Sequence, residues 1–280
     1  MVENVSTSEM SREELINTIN ELEKRIDGQE DFLLNISHDL RTPVSVILSI
    51  LQCLKYVTSE EKKDEYNKIM KRNSYKIIKL IDNLIDTTKL ERKYFELNKK
   101  NIDIVCVVES IVESVEKYAE HKNLQMVFDT NVEECVIAAD PNAIDRIVMN
   151  LLSNAIKFSP KDSNILVDII KKNNEVSISV EDNGPGIPQC DQSLIFDRFK
   201  QSKLNKEYEQ SGSGIGLELV NYLTKAHGGE IKLHSGQGKG AKFIVTFPIN
   251  LIKEKEINNG ELFKRDKVEK LEIEFSDIYI

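Results

Sequence analysis

The sequence predicts an α+β protein. A helical hairpin, paired with a second copy into a dimeric four-helix bundle, precedes an α/β sandwich with helices on one face of a mixed sheet. Three observations carry this expectation. Up to about Leu90 the apolar residues recur at steps of three and four, the period of a helix with one buried stripe. Beyond about Lys93 the pattern changes to alternation, the period of a half-buried strand, interrupted by further helical stretches. Strands and helices that mix without strict βαβ alternation describe an α+β layer.

The elements follow in order. Residues from about Ser8 to Gly28 read as a charged helix with Leu15, Ile19, Leu22 and Ile26 on a narrow stripe, which suits a two-stranded coiled coil. A long helix is expected from about Glu30 to Val57, kinked at Pro43. Its stripe is Leu33, Ile36, Leu40, Val44, Ile47, Leu51 and Leu54. Thr58-Ser59-Glu60-Glu61 supplies a turn, an N-cap and acids for the first turn of a second helix. That helix runs to about Leu90, with Ile69, Asn73, Ile77, Leu80, Leu84 and Thr88 on one side. Two such hairpins packed together cover both stripes, so a homodimer is expected. Strands are predicted at 124–129, 165–170, 176–181 and 242–247, and helices at 104–120, 142–158 and 216–227. Charged residues from about Lys253 lead to a strand-like Leu271 to Phe275. The chain thus divides into an N-terminal signalling helix (1–28), a hairpin (29–92), a sandwich (93–252) and a charged extension (253–280).

Composition narrows the function. A net charge of −9 over 280 residues, with dispersed basic pairs such as Lys99-Lys100, speaks against nucleic-acid binding. No apolar run reaches the length of a membrane span, and the first twenty residues or so are too polar for a secretory signal. Cys53, Cys106, Cys135 and Cys190 are far apart, with no C-x-x-C pair, and read as small hydrophobes of a reducing compartment. The expected location is the cytoplasm, either for the chain itself or for the cytoplasmic part of a larger membrane sensor.

The chemistry concentrates in four places. His38, with Asp39 beside it, lies about 160° from the centre of the apolar stripe at 100° per residue, so the imidazole faces solvent next to a carboxylate that takes up its proton and orients the ring. An exposed histidine by itself is commonly a solvated bystander; Thr42, one turn on, shares the face. Asn150 and Asn154 stand four apart in Asn150 to Phe158, which puts two neutral oxygen donors on one helix face, a set that suits Mg²⁺ as well as it suits two solvated amides. Asp182-Asn183-Gly184-Pro185-Gly186-Ile187 follows a strand, and Gly212-Ser213-Gly214-Ile215-Gly216-Leu217 opens a helix. Glycine lets a backbone approach phosphates, and a helix start offers free N–H groups to them. The second cluster is not the G-x-G-x-x-G of dinucleotide folds, no P-loop ending is present, and no H-R-D or D-F-G appears.

Taken together these segments resemble the sensor histidine kinases of bacterial two-component systems, over about Glu30 to Pro248. Ser37 to Pro43 is similar to their phosphoacceptor motif, Asn150 to Phe158 to the asparagine box, and Asp182 to Ile187 to the first glycine box. Ile195-Phe196-Asp197-Arg198-Phe199 matches the phenylalanine box and Gly212 to Leu217 the second glycine box, while His227-Gly228-Gly229 and Gly238 to Ala241 resemble the closing strands. The resemblance implies a gyrase-like ATP-binding domain, and a protein-histidine kinase in which His38 accepts the γ-phosphoryl group of ATP and passes it to an aspartate of a response regulator receiver domain. Asp39 would serve as base or orienting carboxylate, and Thr42 would position the water of a reverse phosphatase reaction. Asn154 with Asn150 would hold Mg²⁺, and Lys157 would approach the phosphates. Asp182 would read the adenine amino group. Phe158, Gly184, Gly186, Ile187, Arg198, Gly212, Gly214, Gly216 and Leu217 would complete the nucleotide site, under a lid from about Gln189 to Ser211. Ser211 and Ala241 depart from the commonest pattern, standing where glycine and a hydroxyl residue are usual.

Two rival functions share these features. Gyrase-type ATPases resemble the chain in the asparagine box but carry Glu at the place of Asn150, and a neutral amide cannot act as the base that activates water. A catalytically inactive dimeric scaffold would be expected to lack the histidine, asparagine or aspartate, all of which are present.

Overall fold

A computed structural model describes residues 12–91, 97–196, 216–253 and 267–277. The two helices expected before and after Gly28 are one, α1 (Arg12–Leu54), which runs without a break through both Gly28 and Pro43. A single glycine costs a helix interior only about 1 kcal/mol, too little to end one of 43 residues. Pro43 has no N–H to give to the Asp39 carbonyl one turn back, and this one rung of α1 is absent. Leu15 and Ile19, on the expected coiled-coil stripe, are exposed. After a turn, α2 (Glu60–Glu91) returns antiparallel, with Glu60 and Glu61 at its positive N-terminal end.

The apolar surface of α1 divides into two lines where the sequence pattern shows one. Ile36, Pro43 and Ile50 are buried, with Leu40, Ile47 and Leu54 half-buried beside them, and Ile36 packs against Leu40 and against Leu84 of α2. Val44 and Leu51, assigned to that stripe by spacing, are exposed together with Leu48. They form a second line on its flank, matched on α2 by exposed Ile78, Ile81 and Ile85.

The second unit contains β1 (Lys100–Asp103), α3 (Ile104–Glu120), β2 (Gln125–Thr130), β3 (Val136–Ala139), α4 (Pro141–Phe158), β4 (Asn164–Lys172), β5 (Glu175–Asp182), the short α5 (Gln189–Gln192), α6 (Gly216–Ala226), β6 (Glu230–Ser235) and β7 (Ala241–Pro248). Five strands form a mixed sheet in the order β2-β4-β5-β7-β6, parallel only between β2 and β4; β1 and β3 pair separately. Helices α3, α4 and α6 lie against one face and bury Ile111, Val115, Ile144, Ile147, Leu151 and Leu223 on the inward residues of the strands. Asp103 caps α3, accepting from Val105 N at 3.1 Å, and Asp140 caps α4, accepting from Asn142 N at 2.9 Å.

The strand expected at Leu271 to Phe275 is instead helix α7 (Lys267–Glu274) with a 3₁₀ turn (Phe275–Asp277). Leu271 and Phe275 are four apart, a spacing that serves a helix face as well as a strand. The structure uses it as a helix whose buried side is Leu271, Phe275 and Ser276. Phe275 stacks on Tyr118 of α3 with ring centroids 4.5 Å apart, which joins the C-terminal segment to the main core.

Candidate active site

His38 is on the outside of the hairpin, its side chain 77% exposed, as the helical period requires. Its Nδ1 stands 3.6 Å from Asp39 Oδ1, beyond a hydrogen bond but close enough for a small rotation to make one. Nε2 is thereby left on the far side of the ring. Thr42 Oγ1 bonds back to the His38 carbonyl at 3.3 Å, so its proton is engaged while its lone pairs remain turned outward. These three side chains are brought together on one exposed surface by nothing more than adjacency on one helix.

A second cluster forms where β5 ends. Asp182 is 8% exposed, and its Oδ1 accepts the N–H groups of Gly184 at 2.7 Å and Ala241 at 3.3 Å. Burial pushes its carboxyl above the usual range, against the lowering effect of those two backbone donors. No described residue bonds to Oδ2, so that oxygen is the one free for a ligand. Ala241 contributes its backbone here, which is why loss of a side-chain hydroxyl at this position leaves Asp182 anchored. The Asp182–Ile187 loop is bound to the β6–β7 turn by Gly240 N to Gly184 O at 3.1 Å and by Ile187 N to Ser235 Oγ at 2.8 Å. Ser235 Oγ in turn donates to Gly240 O at 2.6 Å. Gly186 has φ +72°, and a side chain there would collide with the Gly236 carbonyl, so only glycine lets the two loops meet.

Helix α4 forms the floor. Asn150 Nδ2 donates to the Arg146 carbonyl at 2.8 Å, which turns Oδ1 toward the start of α6; a side chain on Gly216 would strike that oxygen. Asn154, one turn on, is half-buried, and no described residue hydrogen-bonds its amide. Asn150 Oδ1 facing the start of a helix, with a second neutral amide one turn on at Asn154, makes a donor set that fits Mg²⁺ coordinated with phosphate oxygens. Lys157 and Phe158 are half-buried at the end of α4, with Lys157 Nζ 5.3 Å from the Phe158 ring centre. Phe158 O lies 3.0 Å from where a Cβ on Gly184 would sit, so α4 and the glycine loop are in close contact. Ile187 and Leu217 pack against the core beside them. Arg198, Gly212 and Gly214, and the lid from residue 197 onward, lie outside the described residues.

Three residues to which the sequence gives no place in the site position these groups. His227 accepts from Asp140 N at Nε2 (3.0 Å), so its Nδ1 carries the proton given to Leu223 O at 2.7 Å. It thereby joins the end of α6 to the head of α4, and burial lowers its pKa. Lys122 Nζ caps the other end of α4, donating to the Ile156 and Lys157 carbonyls at 2.9 and 2.8 Å. Arg146, on α4, forms an ion pair with Asp86 of α2, which is almost wholly buried. Only His227 carried a local signal, its place before two glycines.

The chain matches two family profiles. Residues 28–93 match the His Kinase A (phospho-acceptor) domain, and residues 139–251 match the histidine kinase-, DNA gyrase B- and HSP90-like ATPase. Similar curated proteins include the sensor histidine kinase TmoS of Ectopseudomonas mendocina, 30% identical over 92% of this chain and 27% of its own. Another is the sensor histidine kinase WalK of Bacillus subtilis, 28% identical over 84% of this chain and 39% of its own. The chain thus spans between about a quarter and two fifths of the length of these relatives. Among solved structures, histidine kinase ThkA in complex with the response regulator protein TrrA has the same fold, with a TM-score of 0.56, 20% identity, and coverage of 83% of this chain and 65% of that one.

Proposed function

The chain belongs to the sensor histidine kinases, and from that membership and the geometry of its two clusters we propose that it transfers the γ-phosphoryl group of ATP to His38, and from there to an aspartate of a response regulator receiver domain. The observation that carries this reading is an exposed imidazole flanked by a carboxylate in the same chain as a buried aspartate at a glycine-lined strand end. Nε2 of His38 attacks the γ-phosphorus. A P–N bond forms, the bond from γ-phosphorus to the bridging oxygen breaks, and ADP leaves with the electron pair. The Nδ1 proton passes to Asp39, so the product is a neutral-ring phosphoramidate.

Asp182 Oδ2 accepts from the adenine amino group, the glycine loops hold the backbone close to the ligand, and Lys157 approaches the phosphates. Asn154 and Asn150 would hold Mg²⁺, which when bound supplies charge neutralisation at the phosphate oxygens. Asn150 is an amide whose nitrogen already donates to Arg146 O, so it offers no base for water, and phosphate is kept for the imidazole. That argues against the hydrolase reading. Thr42, its lone pairs facing outward, orients the water that hydrolyses the receiver's phosphoaspartate and releases inorganic phosphate. The exposed lines on α1 and α2 pair with those of a second copy in a homodimer.

The test is incubation with γ-labelled ATP. The label is expected on protein, labile to acid and stable to base, and absent from His38→Gln, while ATP binding by that variant stays near normal. Label released only as free phosphate would establish the hydrolase, and equal loss of binding and labelling in His38→Gln would overturn the division between the two clusters.

A further inference from the structure

The segment after the ATP-binding domain is built into the contact between that domain and the hairpin. On α2, Lys71, Tyr75, Lys79 and Asp86 lie on one face, about 180° from Leu84, which packs on Ile36 of α1, and from Asn73, Ile77 and Leu80 in line with it, which are buried or half-buried. Three of the four are taken by the C-terminal segment. Lys71 Nζ is 2.8 Å from Glu272 Oε2, Tyr75 hydrogen-bonds the same carboxylate, and Lys79 Nζ donates to the Glu274 carbonyl at 2.5 Å, with its Oε1 at 3.3 Å. The other side of the segment, Leu271 and Phe275, is sealed in the core of the ATP-binding domain against Tyr118. The Asp86–Arg146 ion pair fixes the same face of α2 to α4. The segment is a strap between the outer face of α2 and the body that carries Asp182.

That face points away from His38. The imidazole is about 160° from the line by which α1 meets α2, so the strapped domain and the histidine of its own chain occupy opposite outer sides of the hairpin. The exposed lines Val44, Leu48, Leu51 and Ile78, Ile81, Ile85 open on a third side, shared by both helices. A two-fold axis on that side, parallel to the hairpin, reverses the direction of every outward group. It brings His38 of the partner subunit to the side on which this chain's ATP-binding domain is strapped. The heights agree, because Ile36 packs on Leu84, which sets His38 level with the stretch of α2 between Lys79 and Asp86.

We infer that residues 267–277 determine which histidine is phosphorylated: strapped to α2, the ATP-binding domain of one chain serves His38 of the partner subunit and not its own. This rests on the phosphotransfer reading above. The strap acts by raising the effective concentration of one acceptor over the other, and its residues touch neither nucleotide nor imidazole.

Two purified mixed dimers of full-length, differently tagged chains separate the routes. The first joins His38→Gln to Asn154→Ala, so only transfer between chains is productive. The second joins an unmutated chain to one carrying both changes, so only transfer within a chain is productive. Labelling of the first is expected to exceed the second by about tenfold or more. Freeing the strap by Phe275→Ala in all chains lowers the first and raises the second, and a gain of labelling cannot come from misfolding. Glu272→Lys does the same more weakly, by about two- to fivefold, and Lys71→Glu in the same chain restores the original ratio. Equal or greater labelling of the second dimer with the strap intact overturns the assignment. A ratio unmoved by the strap variants removes the segment from it. Absence of label from the unmutated dimer would instead refute the phosphotransfer reading itself.

Discussion

At Asp182 the requirements of folding and of binding pull in opposite directions. Its Oδ1 is spent on two backbone donors, and burial raises its pKa, so the ionised form is held at a cost to the fold. The sign follows. The folded state binds this proton more tightly than the unfolded chain, and above the folded pKa the charge subtracts from stability. Asp182→Asn can keep Oδ1 on Gly184 and Ala241, and it then presents an NH₂ where Oδ2 stood, donor against the adenine amino group. ATP affinity is expected to fall by about 1.5–3 kcal/mol, roughly ten- to a hundredfold, while the melting temperature is unchanged or higher. Calorimetric titration and thermal unfolding of the same preparation check both halves. GTP, with a carbonyl at that ring position, is expected to bind the unmutated protein poorly. Thr42 offers a cleaner separation of activities. It is exposed and bonded only to its own helix, so Thr42→Ala is expected to leave autophosphorylation and stability nearly intact while slowing dephosphorylation of a purified receiver. Equal receiver lifetimes with both proteins would exclude it.

Among the elements, α4 is held at both ends by polar side chains drawn from outside the helix. Lys122 closes its C-terminus, and Asp140 opens it while taking Asn98 N at 2.9 Å and giving its own N–H to His227. His227 is an acceptor only when neutral. Burial lowers its folded pKa below the ordinary value of 6.5, so its contribution to stability is complete above that value and declines as the pH falls beneath it. The urea midpoint is expected to drop between pH 7.5 and 5.5. His227→Gln, whose Oε1 accepts without titrating, is expected to flatten that drop. The long periodic elements were legible in the sequence: both hairpin helices, α3, α4 and α6, and strands β2, β4, β5 and β7. Strands β1 and β3 are four residues each, too short to establish alternation. β6 alternates charged residues and His234 with only Ile231 and Leu233, and its inward side shows only against β7. The C-terminal helix is not legible, because Leu271 and Phe275 fit two periods. The clusters at His38, Asn150 and Asp182 were legible because local spacing sets their faces, whereas His227, Lys122 and Asp86–Arg146 join segments far apart in the chain.

At the scale of the molecule, the hairpin leaves Val44, Leu48, Leu51, Ile78, Ile81 and Ile85 uncovered, a continuous apolar surface unsuited to contact with water. The protein is expected to sediment at about twice its 32.0 kDa chain mass. Leu48→Glu with Ile81→Glu is expected to give the single-chain mass, and to abolish labelling of the mixed dimers without unfolding the ATP-binding domain, which shares none of these residues. Sedimentation velocity and circular dichroism distinguish the two effects. The rung missing at Pro43 also has a mechanical meaning. A helix of 43 residues is a stiff rod wherever its ladder is whole, and its compliance is greatest at the carbonyl of Asp39, beside the acceptor. The rod is held on both sides of that rung, by Ile36 against Leu84 of α2 and by buried Pro43 and Ile50. Bending at that rung moves the imidazole between two packed points of the hairpin, Ile36 on one side and Pro43 on the other.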